Sequence, residues 1–167
     1  TFLRLIKYFS FFVSMLLPGI YVAVGTYHPE MFPPVLLLSF LNANQATPFP
    51  LMVEALMIHF LFEIMREAGL RFPKSVGHAV SIVGALVIGE SAVRAGLVGA
   101  PMVIIVAMTA MSSFVIPSLY GAMAILRFGF ILLGGSLGLY GVMLGVCLFV
   151  CSICAMNIQS IPYMAPL

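Results

Sequence analysis

The sequence predicts an all-α polytopic membrane protein with four to five transmembrane helices and one re-entrant or half-length helix. Three observations predict it. Of 167 residues, 63% are apolar and only 7% are charged, against about 45–50% and about 25% in soluble globular chains. The charges gather in a few short clusters. Between the clusters lie uncharged stretches near the length of about 20 residues that an apolar helix needs to cross a bilayer.

The same composition excludes other classes. Too few charges are present to coat a water-exposed surface, and the apolar content is too high for disorder. Three Cys are too few for a disulfide-stapled secreted domain. A net charge of +2 without a basic run gives no footprint for nucleic acid. The chain opens on Thr1 and closes on Leu167 after Pro166. It is expected to be an excerpt of a longer protein, with residues 1–167 forming a single transmembrane domain.

The elements follow in order. Residues 8–27 form the first span, behind Arg4 and Lys7, with Pro18-Gly19 in its middle. A kink there is tolerable in a membrane if a neighbour satisfies the freed carbonyl. Residues 31–41 are apolar but too short to cross. Residues 42–50 hold Asn42, Asn44, Gln45, Thr47, Pro48 and Pro50 and read as a polar loop. Residues 50–66 form the next helix, with Glu54, His59 and Glu63 inside it. Residues 76–90, between Lys74 and Glu90, suit a partial crossing. Residues 97–126 and 128–155 are long uncharged spans separated by Arg127, and the tail from 156 reads as interfacial.

Arg4 and Lys7 share the cytoplasmic side with Arg66, Arg71 and Lys74 if two crossings separate them. A full crossing by 76–90 makes five spans with the C-terminus outside. Re-entry makes four, with the C-terminus inside and Arg127 outside.

Ionisable groups inside spans are costly, so each is a functional candidate. At 100° per residue His59, Glu63, Arg66 and Glu67 share one helical face, and Glu54 points elsewhere. They are either an interfacial helix end, with Glu63–Arg66 or Glu67–Arg71 pairing, or a polar lining for an ion path. Glu90 and Arg94 have the i, i+4 order that favours a helix pair. Around a symmetry axis the same residues would form a charged ring at a pore mouth.

Small residues make two stripes. Gly134, Gly138, Gly141 and Gly145 share one face, as do Gly77, Ser81 and Gly84. Such stripes let helix backbones approach closely. Cys147, Cys151 and Cys154 also share a face and read as small hydrophobes. No metal site, cofactor or catalytic signature is expected. The chain lacks Asp altogether and has no P-loop, G-x-S-x-G or H-E-x-x-H. No enzymatic role follows.

Several longer strings are more specific. Leu17-Pro18-Gly19-Ile20-Tyr21 leads to Thr26-Tyr27-His28-Pro29-Glu30. Pro48-Phe49-Pro50, Val53-Glu54-Ala55-Leu56 and Phe62-Glu63-Ile64-Met65-Arg66-Glu67 come next, then Ala95-Gly96-Leu97 and Gly138-Leu139-Tyr140-Gly141. Ile161-Pro162-Tyr163 follows. In this order they resemble the membrane domain of GerA-type A subunits of spore germinant receptors.

The resemblance implies a location in the inner membrane of bacterial endospores and a soluble N-terminal domain ahead of this one. It implies a transporter-like B subunit and a lipoprotein C subunit as partners. It also implies a homo-oligomer that acts as a ligand-gated channel for monovalent cations. A non-conducting scaffold, or the related subunit of the dipicolinate-release system, is the alternative. Glu90 departs from the family pattern, which would place a neutral amide there.

One copy has too few polar residues to enclose an ion path. A ring of copies could line a pore with one helix each. On residues 76–90 the stripe Val76, Val80, Val83, Val87 and Glu90 would make an apolar constriction ending in carboxylates. The opposite face, with Gly77, Ser81 and Gly84, is the other candidate lining.

Overall fold

The computed structural model describes residues 2–71, 74–116, 119–155, 157–158 and 161–162. Helix α1 (Phe2–Tyr27) is followed by a 3-10 turn (Pro29–Met31), α2 (Pro34–Gln45), α3 (Leu51–Leu70), α4 (Lys74–Arg94), α5 (Ala100–Phe114) and α6 (Tyr120–Ala155). Near the C-terminus Asn157–Ile158 pairs antiparallel with Ile161–Pro162. The regular secondary structure of the described residues is thus helical, apart from this short ladder. Among the described residues, two helices are long and apolar enough to cross a membrane, α1 and α6, and α5 is a shorter apolar helix.

Helix α1 is the centre of the packing and lies chiefly against α6 and α5. One apolar cluster joins Tyr21 and Val22 of α1, Phe40 of α2, Ile58 of α3, Met102 and Val106 of α5, and Ile131 of α6. A second joins Met15 and Ala23 of α1 to Phe130 and Val142 of α6. Many large apolar side chains stay outside both, among them Phe2, Leu3, Phe9, Ile125, Tyr140 and Leu148. Exposed apolar surface on this scale belongs among lipid tails or against a partner.

Several boundaries differ from the sequence reading. Helix α1 takes in Arg4 and Lys7, and α2 takes in Asn42, Asn44 and Gln45 from the expected loop. Pro34, at the first helical position, already has a helical φ and no N–H to lose. Helix α4 is a continuous helix of 21 residues rather than a half-length one. Its end is set by Gly96 at φ 69°. Gly96 N–H bonds to Val93 O and Leu97 N–H to Ala92 O, each at 3.0 Å, which closes the helix in a Schellman turn.

The uncharged C-terminal stretch divides at different places from those expected. Helix α5 stops at Phe114 and α6 starts at Tyr120, so Arg127 is an interior residue of α6 and not a connector. The second break is at Gly138, where φ 65° and ψ −148° interrupt α6. Gly145 lies beside the side chains of Phe130 and Leu133. In a straight helix, Phe130 and Gly145 would be separated by about 22 Å at 1.5 Å per residue. The chain therefore reverses at Gly138, and residues 120–137 and 139–155 lie side by side.

Candidate functional site

The fold collects a polar seam across four helices. Its centre is Arg127 of α6, 1% exposed. Its Nε donates to Ser14 O and its Nη2 to Ser14 Oγ, each at 3.2 Å. The reason for this pairing lies four residues further along α1. Pro18 has no N–H to return to the Ser14 carbonyl, so an interior helical acceptor is left free. Arg127 fills that vacancy from the neighbouring helix, as a membrane helix with an internal proline requires.

The seam continues through α3 and α5. Arg66 is buried, donates from Nη1 to Ser113 Oγ at 3.2 Å, and places its guanidinium over the rings of Phe114 and Tyr120. Tyr120 OH donates to Glu63 Oε2 at 2.6 Å. His59, 1% exposed, lies with Nδ1 2.9 Å from Ala55 O, and its Nε2 has no partner. The carbonyl can only accept, so Nδ1 carries the proton. Glu63 lies within electrostatic reach of both Arg66 and Arg127. Such a network ties helices together.

The charged residues named from sequence separate into two groups. Glu54, His59 and Arg66 are buried and Glu63 is half-buried. Glu67 and Arg94 are exposed and sit in helix-surface ion pairs, Arg71–Glu67 at 3.4 Å and Arg94–Glu90 at 2.6 Å. Exposed pairs of this kind contribute little stability. Arg127 and Ser14 were missed as site residues. Arg127 is the sole charge after Arg94, a signal for an intramembrane partner that the connector reading overlooked.

Glu54 is 1% exposed and acts at a distance. Its Oε1 accepts the N–H of Gly99, the N-cap of α5, at 2.6 Å. Its Oε2 is buried without a hydrogen-bond partner. The carboxylate therefore caps a helix 45 positions along the chain, where the positive end of the helix dipole favours it.

Helix α4 shows its two faces differently. It packs mainly on α3. Gly77 is buried, and a methyl group on Gly84 would collide with Met65. Val76, Val83 and Val87 are 50%, 57% and 55% exposed, and Glu90 is exposed beyond them. The side chains of Val80 and Ser81 lie outside the described residues. Val87, Glu90, Ser91 and Arg94 border a shallow open hollow.

The C-terminal glycines lie within the chain's own packing. A methyl group on Gly134 would strike the Gly19 carbonyl, and one on Gly138 would meet the Tyr27 ring. Gly141 and Gly145 are closed in by Leu133 and Phe130 on the other arm of α6. Tyr27 OH lies 3.1 Å from Gly135 O and 2.9 Å from Ser136 O, so it covers the end of the first arm. Cys147, Cys151 and Cys154 are exposed. Among the described residues no three His, Cys, Asp or Glu side chains converge as metal ligands.

Comparison with known proteins gives one consistent match. A family model described as Bacillus/Clostridium GerA spore germination protein matches residues 1–167. "Spore germination protein KA" of Bacillus subtilis (strain 168) is 46% identical, over 100% of this chain and 31% of that protein. "Uncharacterized membrane protein YfkQ" of the same organism is 46% identical, over 98% of this chain and 32% of its own length. "Spore germination protein GerLA" of Bacillus cereus is 40% identical, over 100% of this chain and 34% of that protein. The chain thus spans about a third of the length of the curated relatives it matches. No solved structure matches it.

Proposed function

The chain belongs to the Bacillus/Clostridium GerA spore germination protein family, and from that membership we propose that it is the membrane part of a germinant-receptor A subunit. In this reading it crosses the inner membrane of the spore four to five times. Copies assemble around an axis into a nutrient-gated channel for monovalent cations, beside a transporter-like B subunit and a lipoprotein C subunit.

The observation that carries the reading is the division of α4 into two faces. The small-residue face is seated on α3 at Gly84, with Gly77 buried on the same side, and the face bearing Val76, Val83 and Val87 is exposed and ends at Glu90. A free apolar stripe on a helix that meets its own chain on the other side suits a shared pore. There a ring of valines holds the path dry until the ring widens. The seam through Arg127, Arg66 and Glu63 keeps the remaining helices in register around it.

Spores carrying Val83→Ala or Val80→Ala should leak cations without nutrient. Normal dormancy and unchanged conductance in both would remove the stripe from the pore. The full-length protein in planar bilayers should conduct. Silence there would return it to a scaffold role.

A further inference from the structure

Helix α3 has two unlike sides. Ile58, His59, Arg66 and Gly69 are buried toward the bundle. The other side carries Phe60, Glu63, Ile64, Glu67, Ala68 and Arg71, and these six line one open hollow. Its volume is about 470 Å³, inside the range of about 300–1,000 Å³ that ligand sites occupy. Its floor is apolar, with Phe60 and Ile64 59% and 49% exposed, a surface that calls for a cover.

The charges gather toward the helix end. Arg71 follows the last residue of α3, and Glu67 stands one turn before it. Their contact of 3.4 Å is long beside the roughly 2.7–2.9 Å of a strong charge-assisted bond. On α4, Glu90 and Arg94 make such a bond at 2.6 Å and satisfy each other. Glu67 and Arg71 therefore keep acceptor and donor capacity for a second partner. Glu63, a further turn inward, accepts from Tyr120 OH. Two carboxylates against one guanidinium leave the hollow negative by one charge.

An occupant that complements all of this brings an apolar chain, an anion for Arg71 and a cation for Glu67. Guanidinium groups suit phosphate, which they bind through paired N–H donors. A lipid with net negative charge would be repelled by Glu63 and Glu67. A primary ammonium has three N–H donors for a carboxylate, whereas a quaternary one has none. We propose that the hollow on α3 holds one phosphatidylethanolamine molecule. An acyl chain lies over Phe60, Ile64 and Ala68, the phosphate meets Arg71 and the ammonium meets Glu67. The site rests on the reading of this chain as a membrane domain, which sets the end of α3 at headgroup level. Glu63 borders the hollow and also holds Tyr120 under the Arg66 guanidinium, so the lipid lies against the polar seam.

The test inserts the full-length protein in nanodiscs of phosphatidylcholine mixed with phosphatidylethanolamine or phosphatidylglycerol. Native mass spectrometry then identifies the lipids it retains. Phosphatidylethanolamine should be retained several-fold over phosphatidylcholine, and phosphatidylglycerol least. Glu67→Gln removes the ammonium's partner and should abolish the preference for ethanolamine over choline. Arg71→Gln removes the phosphate's partner and should lower retention of both. Ala68→Phe fills the hollow and should bring phosphatidylethanolamine down to the level of phosphatidylcholine. All three positions are exposed, so Tm should stay unchanged. Equal retention of the two lipids by the wild type, or an unchanged preference in Glu67→Gln and Ala68→Phe, overturns the site alone. Protein that never enters the nanodiscs overturns the membrane reading and the site with it.

Discussion

Ser14 and Pro18 show how a single backbone defect organises a membrane helix. The proline removes a hydrogen-bond donor, and Arg127 supplies another from the next helix. Removing the Ser14 hydroxyl would leave Nη2 of a buried guanidinium unpaired. Ser14→Ala is therefore expected to destabilise by about 1–3 kcal/mol, read as a lowered unfolding midpoint in detergent. An unchanged midpoint would show that Arg127 finds another acceptor. Glu63 and Tyr120 form the other tight link, at 2.6 Å. A double-mutant cycle with Glu63→Gln and Tyr120→Phe should give a coupling of about 0.5–3 kcal/mol, whereas additive effects would remove the link. Residue types told part of this in advance. Glu54, His59 and Arg66 stood out because charge inside an apolar helix is rare. The partners of Glu54 and Arg66 did not, because hydrogen bonds spanning 45 and 47 positions leave no local pattern.

The helices hold two kinds of glycine. Gly138 adopts φ 65° and ψ −148°, a region that side chains avoid at a cost of about 1–3 kcal/mol. Gly138→Ala should destabilise by that amount and disturb the reversal in α6. Gly129 has open space where a Cβ would sit. Gly129→Ala should be neutral or stabilise by up to about 1 kcal/mol, because alanine loses less backbone freedom in a helix. Equal effects at both sites would contradict the hairpin. Apolar runs and prolines made the helices legible. The reversal was not legible, since a glycine-rich stretch reads as close packing whether it runs straight or turns. The partner of the stripe was also hidden, and the structure places α1 against Gly134 and Gly138, at Gly19 and Tyr27, and the other arm of α6 against Gly141 and Gly145.

The whole molecule is a bundle organised around α1, with α4 at its edge, packed chiefly on α3. Its membrane character was readable from composition alone, because a 7% charged chain cannot clothe itself for water. How copies meet was not readable, since an apolar face suits lipid and protein alike. The central claim is that the valine face of α4 meets water at the axis of an assembly. Cysteine substitution in the assembled receptor, with Cys147, Cys151 and Cys154 replaced, tests it most directly. Val83→Cys, Val87→Cys and Glu90→Cys should react with a charged thiol reagent when nutrient is present. Ile88→Cys, on the opposite side of the helix, should stay unreactive. Equal labelling at Ile88→Cys, or none at the three stripe positions, would contradict the claim.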